Sequence, residues 1–260
     1  MSVAASDHAF VVPAYGDSPF LGACLRSLAE QTRRSPVVIA TSTPSETLSA
    51  TAAAFGAPVI VNPRREGIGA DWNFALGATD ARYVTLAHQD DVYYPSFLER
   101  SLALLAAHEE AALCFTSYHE IDDEGRRRAS KLSVAKHLLE AAILGSAPVA
   151  RGARLRAFLS LGCPLPCSSV TYDRDRLGDF QFSTELGLNL DWEAWLRLGE
   201  RGVAFARTPE RLVGRRHNPL TATSEGIRSG RRQAEDLMFF RRLWPSPLAE
   251  AIAFLYRASY

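Results

Sequence analysis

Residues 85–92 (TLAHQDDV) carry an apolar strand straight into two adjacent carboxylates, Asp90 and Asp91. Two such charges ~4 Å apart repel by roughly 4 kcal/mol at an effective dielectric of about 20. A hard divalent ion, Mg2+ or Mn2+, relieves that repulsion and bridges to phosphate oxygens. The same pair would also suit the start of a helix, where negative charge faces the dipole. At residues 12–17 (VPAYGD) a strand ends in Pro13 and Tyr15, where an aromatic ring can stack on a base, although a plain turn explains Pro and Gly equally well. Asp191 opens a helical segment that turns aromatics inward, and on its own it reads as an N-cap. In Arg215-Arg216-His217, the histidine is a candidate metal or diphosphate contact, set against an ordinary surface imidazole.

These residues need strands to hold them. Residues 8–13, 36–41, 58–62 and 82–87 are short, β-branched runs stopped by Pro, Gly, Asn or Ser. Between them lie helical patterns at 18–31, with Ser18 as N-cap, and at 48–55 and 69–77; another follows at 97–108. Such alternation predicts a doubly wound, mostly parallel sheet with helices on both faces and ligands beyond the carboxyl ends of the strands. Residues 111–121 predict a long strand, 126–150 a hairpin return and one or two helices, and 168–172 another strand. A helix is expected at 191–202, two short strands at 203–206 and 211–213, and helices broken at Pro245 and Pro247 thereafter. Gly67-Ile68-Gly69 begins like a dinucleotide fingerprint, but Trp72 fills its third glycine position and the motif follows the third strand, not the first. A nicotinamide enzyme is thereby disfavoured. What remains is a turn whose amides and Asn73 approach a nucleotide, or a plain helix start.

The chain has 260 residues, 47% of them hydrophobic, which excludes disorder and rod-like repeats. Its formal net charge of +0 gives no global field to hold nucleic acid. Residues 1–130 carry 10 Lys and Arg against 16 Asp and Glu, whereas residues 131–260 carry 19 against 13. The basic second half suits a phosphate-rich ligand or an anionic membrane surface, or is simply solvated arginine. Four cysteines are too few for a disulfide scaffold, so packed thiols are expected. No signal peptide and no spanning run is recognised, and the chain reads as cytoplasmic. Residues 236–260 mix large apolar side chains with arginine, as an interfacial helix at the inner face of a membrane would. A helix packed on the core or in a homodimer is the other reading.

Taken in order, VVPAYGD, VNPRREGIGADWNFAL, HQDDVYYPSFLE, LDWEAWLRL and RRHNPLTAT resemble the motifs of family 2 nucleotide-sugar glycosyltransferases. The resemblance is close over residues 8–125 and looser over 163–223. It implies a GT-A (Rossmann-like) α/β fold, with a nucleotide-sugar core at 1–125, an acceptor-side part at 126–225 and a helical C-terminal extension at 226–260. It implies that Pro13 and Tyr15 border the base, that Asp90 faces the ribose or the metal's surroundings, and that Asp91 ligates Mg2+ or Mn2+. His217 would add a metal or diphosphate contact, with Arg215 or Arg216 assisting. Asp191 takes the general-base position, although Leu190 replaces the usual Glu before it. After the second strand, Thr41-Ser42-Thr43-Pro44 replaces the usual acidic turn, so Thr41 would meet the base with a hydroxyl and uridine is put in doubt. His88 stands where relatives often carry Asp. The expected activity is inverting transfer from a nucleoside-diphosphate sugar to a carbohydrate or lipid-linked acceptor. The alternatives are a metal-dependent hydrolase using His88, Asp90, Asp91 and His217, a nucleotidyltransferase lacking its triphosphate loop, and a non-catalytic sugar-nucleotide binder.

Overall fold

The structure is a computed structural model and describes residues 7–128, 130–218 and 222–257. Its first part alternates β1 (His8–Ala14), α1 (Leu21–Ala29), β2 (Val37–Thr41), α2 (Glu46–Ala54), β3 (Val59–Val61), α3 (Ile68–Leu76) and β4 (Tyr83–Leu86). Then come β5 (Val92–Tyr93), α4 (Phe97–Ala107), β6 (Ala111–Ile121), β7 (Arg127–Arg128), α5 (Lys131–Leu144), β8 (Val149–Ala150) and α6 (Gly152–Leu159). The remainder comprises β9 (Val170–Asp173), α7 (Arg174–Leu177), α8 (Leu190–Glu200), β10 (Ala204–Arg216), α9 (Ala222–Arg228), α10 (Arg231–Leu243) and α11 (Ser246–Arg257).

All ten strands join one sheet, whose main path runs β3-β2-β1-β4-β9-β6-β10-β5. The pairs β3–β2, β2–β1, β1–β4 and β6–β10 are parallel, and β9 is the antiparallel strand between β4 and β6. Every β1 residue except half-buried Pro13 is buried, as a strand covered by helices on both faces must be. Pro13 comes after the ladder to β4 has ended at Val11, so its missing N–H breaks no pairing on that side. The strand order reverses between β1 and β4, and their carboxyl ends frame the crevice in which such sheets bind ligands.

Two expectations change. Helix α1 begins at Leu21 because residues 18–20 form a turn instead: the Ser18 hydroxyl accepts the Phe20 N–H at 3.2 Å. The two short strands expected near 203–213 are one strand, β10, whose register against β6 shifts between Thr208 and Arg211. Pro209 lies inside that shift, where a residue without an N–H is tolerated. All four cysteines are free and buried. The C-terminal helices fold onto α8: Trp192 stacks on Phe239 at 4.9 Å and meets Phe240 edge-on at 5.2 Å. The indole N–H groups of Trp192 and Trp195 donate to the carbonyls of Leu159 and Leu165, which satisfies the polar edge of two fully buried rings. No helix among the described residues is long and apolar enough to cross a membrane.

Candidate active site

The crevice is closed on one side by a side-chain bridge. The Gln89 amide donates to the Tyr15 carbonyl at 3.0 Å and accepts the Tyr15 N–H at 3.3 Å, tying the end of β1 to the turn after β4. The Tyr15 ring itself is 67% exposed and free to meet a flat ligand. Behind it, Gly16 N–H donates to Thr43 Oγ1, and Thr43 N–H donates to Thr41 Oγ1 at 3.0 Å. Thr41 is therefore buried and its hydroxyl braces the turn, so it does not present itself to a base as the sequence suggested. A carboxylate stands nearby all the same. Asp71, in the first turn of α3, accepts Ser42 Oγ at 2.9 Å and Asn62 Nδ2 at 3.0 Å, which leaves lone pairs on both oxygens. Asn73 is corrected as well. Its amide closes a two-way bond with the backbone of Phe182, donating at 2.9 Å and accepting at 2.7 Å, so it fastens α3 to the segment before α8. Gly69 serves the same contact, since a Cβ there would run into the Ser183 carbonyl oxygen.

At the end of β4, the ligand atoms of His88, Asp90 and Asp91 all lie within 4.8 Å of one another. Asp91 is buried and accepts the Arg216 N–H at 2.8 Å. Burial, and after it the charge of Asp90, push its carboxyl up to about 7, against the pull of the Arg216 amide and of Arg215. Burial likewise pushes His88 down, opposed by the charges of Asp90 and Asp191, so the ring is neutral near pH 7. Its Nε2 is buried without a hydrogen-bond partner, and the ring lies 5.1 Å from Trp72. Two crowded carboxylates and one orphaned imidazole nitrogen fit a divalent cation, with the nitrogen suiting Mn2+ better than Mg2+.

The resemblance put His217 into this cluster and the hydrolase reading added His88; the geometry brings His88 there. His217 Nε2 lies 3.3 Å from Glu120. Despite its burial, Glu120 is held down at about 2 by His217 and the Ser130 N–H. The closing loop expected at 215–223 is described only in part, residues 219–221 lying outside the described residues. Arg216 is also occupied, donating to the carbonyls of Asp90, Asp122 and Asp123 and lying over the Phe20 ring at 4.3 Å. It bolts β10 to the turn after β4.

Asp191 is in the first turn of α8, but the cap residue is Asn189, so the N-cap reading does not hold. Its Oδ1 accepts the Trp192 N–H at 2.8 Å, and its charge acts on His88 and Arg215. The loop that delivers it is held from α10. Glu235 accepts three successive amides, those of Gly187, Leu188 and Asn189, at 3.0, 3.1 and 2.9 Å. Asp71 and Glu235 were missed as site residues, and His88 was expected only in the hydrolase reading; the carboxylate that Asp71 places one turn into α3 was the visible signal.

The sheet order and a crevice ringed by Tyr15, His88, Asp90, Asp91 and Asp191 define a GT-A glycosyltransferase fold, and solved structures agree. S. aureus TarS 1-349 in complex with UDP-GlcNAc superposes with a TM-score of 0.64 at 15% identity, over 96% of this chain and 72% of that one. The longer S. aureus TarS structure gives 0.62 at 17%, and this chain spans only 43% of its length. Glucosyl-3-phosphoglycerate synthase from Mycobacterium tuberculosis, in complex with Mn2+, UDP-glucose and phosphoglyceric acid, gives 0.57 at 19%, over 91% and 79%. At such identities the likeness is one of fold. No curated protein sequence matches the chain. The family model for glycosyl transferase family 2 matches residues 9–161, more than half of the chain, which therefore belongs to that family. The match includes His88, Asp90 and Asp91 and ends before Asp191.

Proposed function

We propose that the protein transfers a sugar from a nucleoside-diphosphate donor to an acceptor hydroxyl with inversion, using Asp191 as general base. The observation that carries this reading is the convergence of Asp191 and the His88–Asp90–Asp91 cluster on one crevice. Tyr15 offers a face for the base, Pro13 stiffens the strand end, and Asp71 with Ser42 offers polar groups to its edge. His88, Asp90 and Asp91 would hold Mg2+ or Mn2+, which supplies positive charge to the diphosphate. Asp191 takes the acceptor proton as the oxygen attacks the anomeric carbon, a role worth about 10²–10⁴-fold. Trp72 and Phe182, packed edge to face at 5.0 Å behind His88, keep water from that side of the crevice. The Mn2+ and UDP-glucose bound in the mycobacterial synthase, and the UDP-GlcNAc in TarS, support a donor of this chemical class.

The test is a panel of nucleotide-sugars with Mn2+, reading released nucleoside diphosphate with and without acceptors, on wild type and Asp191→Asn. An asparagine keeps the Oδ1 that accepts Trp192 N–H but cannot take a proton. Turnover should fall by about 10²–10⁴-fold with donor affinity unchanged. Equal release with and without any acceptor would favour a hydrolase, and unchanged turnover in the variant would remove Asp191 as base.

A further inference from the structure

Tyr93 of β5 lies two residues past Asp91 and is buried, and its hydroxyl bonds to the backbone of two separate segments. It accepts the His88 N–H at 3.3 Å and donates to the Ser168 carbonyl at 2.9 Å. The first bond holds the turn after β4, and the second holds the helical turn Cys167–Ser169 that leads into β9. His88 is held from its other side as well. Its carbonyl accepts the Cys24 thiol of α1 at 3.3 Å and the Asp91 N–H at 3.1 Å. Two buried side chains thus fix the His88 backbone at N–H and at carbonyl, while the ring nitrogen Nε2 is buried with no hydrogen-bond partner among the described residues.

The two holding residues share a support outside the turn. Ser27 Oγ accepts the Tyr93 N–H at 3.0 Å and donates to the Cys24 carbonyl at 2.7 Å. Gln31 Nε2 donates to the carbonyls of Tyr93 and Tyr94 at 3.2 and 2.9 Å, and β5 pairs with β10 at Tyr93. The Tyr93 ring meets Phe97 edge-on at 5.0 Å, a contact that a phenylalanine would make equally well. Only the hydroxyl reaches His88. With the His88 backbone fixed, χ1 and χ2 alone separate it from the imidazole, and the Trp72 ring 5.1 Å away restricts them. A metal ligand must be held to within about 0.5 Å of its working position, and the groups that bond to the ligand residue supply that precision.

We infer that Tyr93 and Cys24 are positioning residues that present His88 Nε2 to the cation, and that this nitrogen gives the site a preference for Mn2+ over Mg2+. The inference rests on the cation site proposed above and deepens it. Mg2+ takes oxygen ligands and keeps several waters, so Asp90 and Asp91 serve it with or without an imidazole. Imidazole is a ligand of transition metals, and Mn2+ gains from it only while the ring is in place. Tyr93 then acts on metal choice through His88, without touching the metal.

The experiment measures Mn2+ and Mg2+ binding to full-length protein with no nucleotide present, Mn2+ by the EPR signal of the free ion and Mg2+ by competition. It compares wild type, Tyr93→Phe, His88→Ala and the double variant. Tyr93→Phe should weaken Mn2+ about tenfold or more, change Mg2+ by no more than about twofold, and diminish the pulsed-EPR modulation from an imidazole nitrogen. In the His88→Ala background it should do nothing further, because the two residues act as one unit. Losses equal for both metals, or persisting without His88, would overturn the inference, since a role in folding alone predicts them. Cys24 supplies a second pair of variants should Tyr93→Phe fail to fold. Cys24→Ala should lower the preference for Mn2+, and Cys24→Ser, which keeps a donor for the His88 carbonyl, should restore it. A preference unmoved by Cys24→Ala likewise overturns the inference. Wild type that binds no Mn2+ sinks the cation site together with the inference, whereas nitrogen modulation equal in wild type and Tyr93→Phe sinks the inference alone.

Discussion

Replacing Asp91 by Asn should make the metal-free protein more stable and unable to hold a divalent ion, and both effects should grow as pH rises. In the folded state this carboxyl is raised from 3.8 to about 7, chiefly by burial and then by Asp90. A raised folded pKa gives stability that is complete below the unfolded value and lost as pH climbs through the folded one. Three units correspond to about 4 kcal/mol at most, so metal-free wild type should weaken between about pH 4 and pH 7. At pH 8, Asp91→Asn keeps an oxygen for the Arg216 N–H without the buried charge. It should gain about 2–4 kcal/mol, or roughly 5–10 °C in a chain of this size. Mn2+ reverses the balance, because binding requires the ionised carboxylate. With a folded value near 7, the ionised fraction falls about 25-fold from pH 7.5 to 5.5, and Mn2+ affinity should fall with it. Thermal melts in chelator across pH 5–8, with Mn2+ titrations at the same points, measure both. An Asn variant no more stable than wild type at pH 8, or Mn2+ affinity flat across that range, would refute the reasoning.

Glu235→Ala removes the acceptor for three backbone amides of the loop before Asp191, and should lower turnover more than donor affinity while costing about 1–3 kcal/mol in urea melts. Gly69→Ala drives a methyl into the Ser183 carbonyl, and should cost about 1–3 kcal/mol in the same melts and loosen α8 along with α3. Asp71→Ala frees Ser42 and Asn62 together, and calorimetry should show weaker nucleoside diphosphate binding with the Mn2+ affinity of the protein unchanged.

The nucleotide half was legible because it is built from short runs buried on both faces. The strand expected at 8–13 is β1, the one at 82–87 is β4, and residues 111–121 form β6 to the residue. Adjacent carboxylates after such a strand are also a local signal, and Asp90 and Asp91 stand together as their spacing required. Other features were tertiary. Nothing in the sequence says that the Asn73 amide is spent on Phe182, that Thr41 turns inward, or that Glu120 captures His217. His88 stood where the resemblance led to an acid and entered only the hydrolase reading; its buried, unpartnered nitrogen is what places it among the ligand candidates. Strand β10 reads as two short strands because Thr208-Pro209-Glu210 interrupts its apolar pattern, which is how a bulge reads in one dimension.

The two halves of the site differ in how they are held. The donor side hangs on parallel strand ends, where backbone ladders fix Tyr15 and the residues after β4 to within a hydrogen bond of one another. Asp191 has no such ladder. It sits on a helix whose first turn is held by side chains from α10, through Glu235 on the backbone and Asp236 on Asn189, and whose aromatic face is packed by Phe239 and Phe240. The segment that positions the proposed base therefore lies some 45 residues further along the chain, beyond the part that matches the family. If Asp191 is the base as proposed, exchanging Glu235 or Asp236 should disturb turnover without altering which nucleotide is bound.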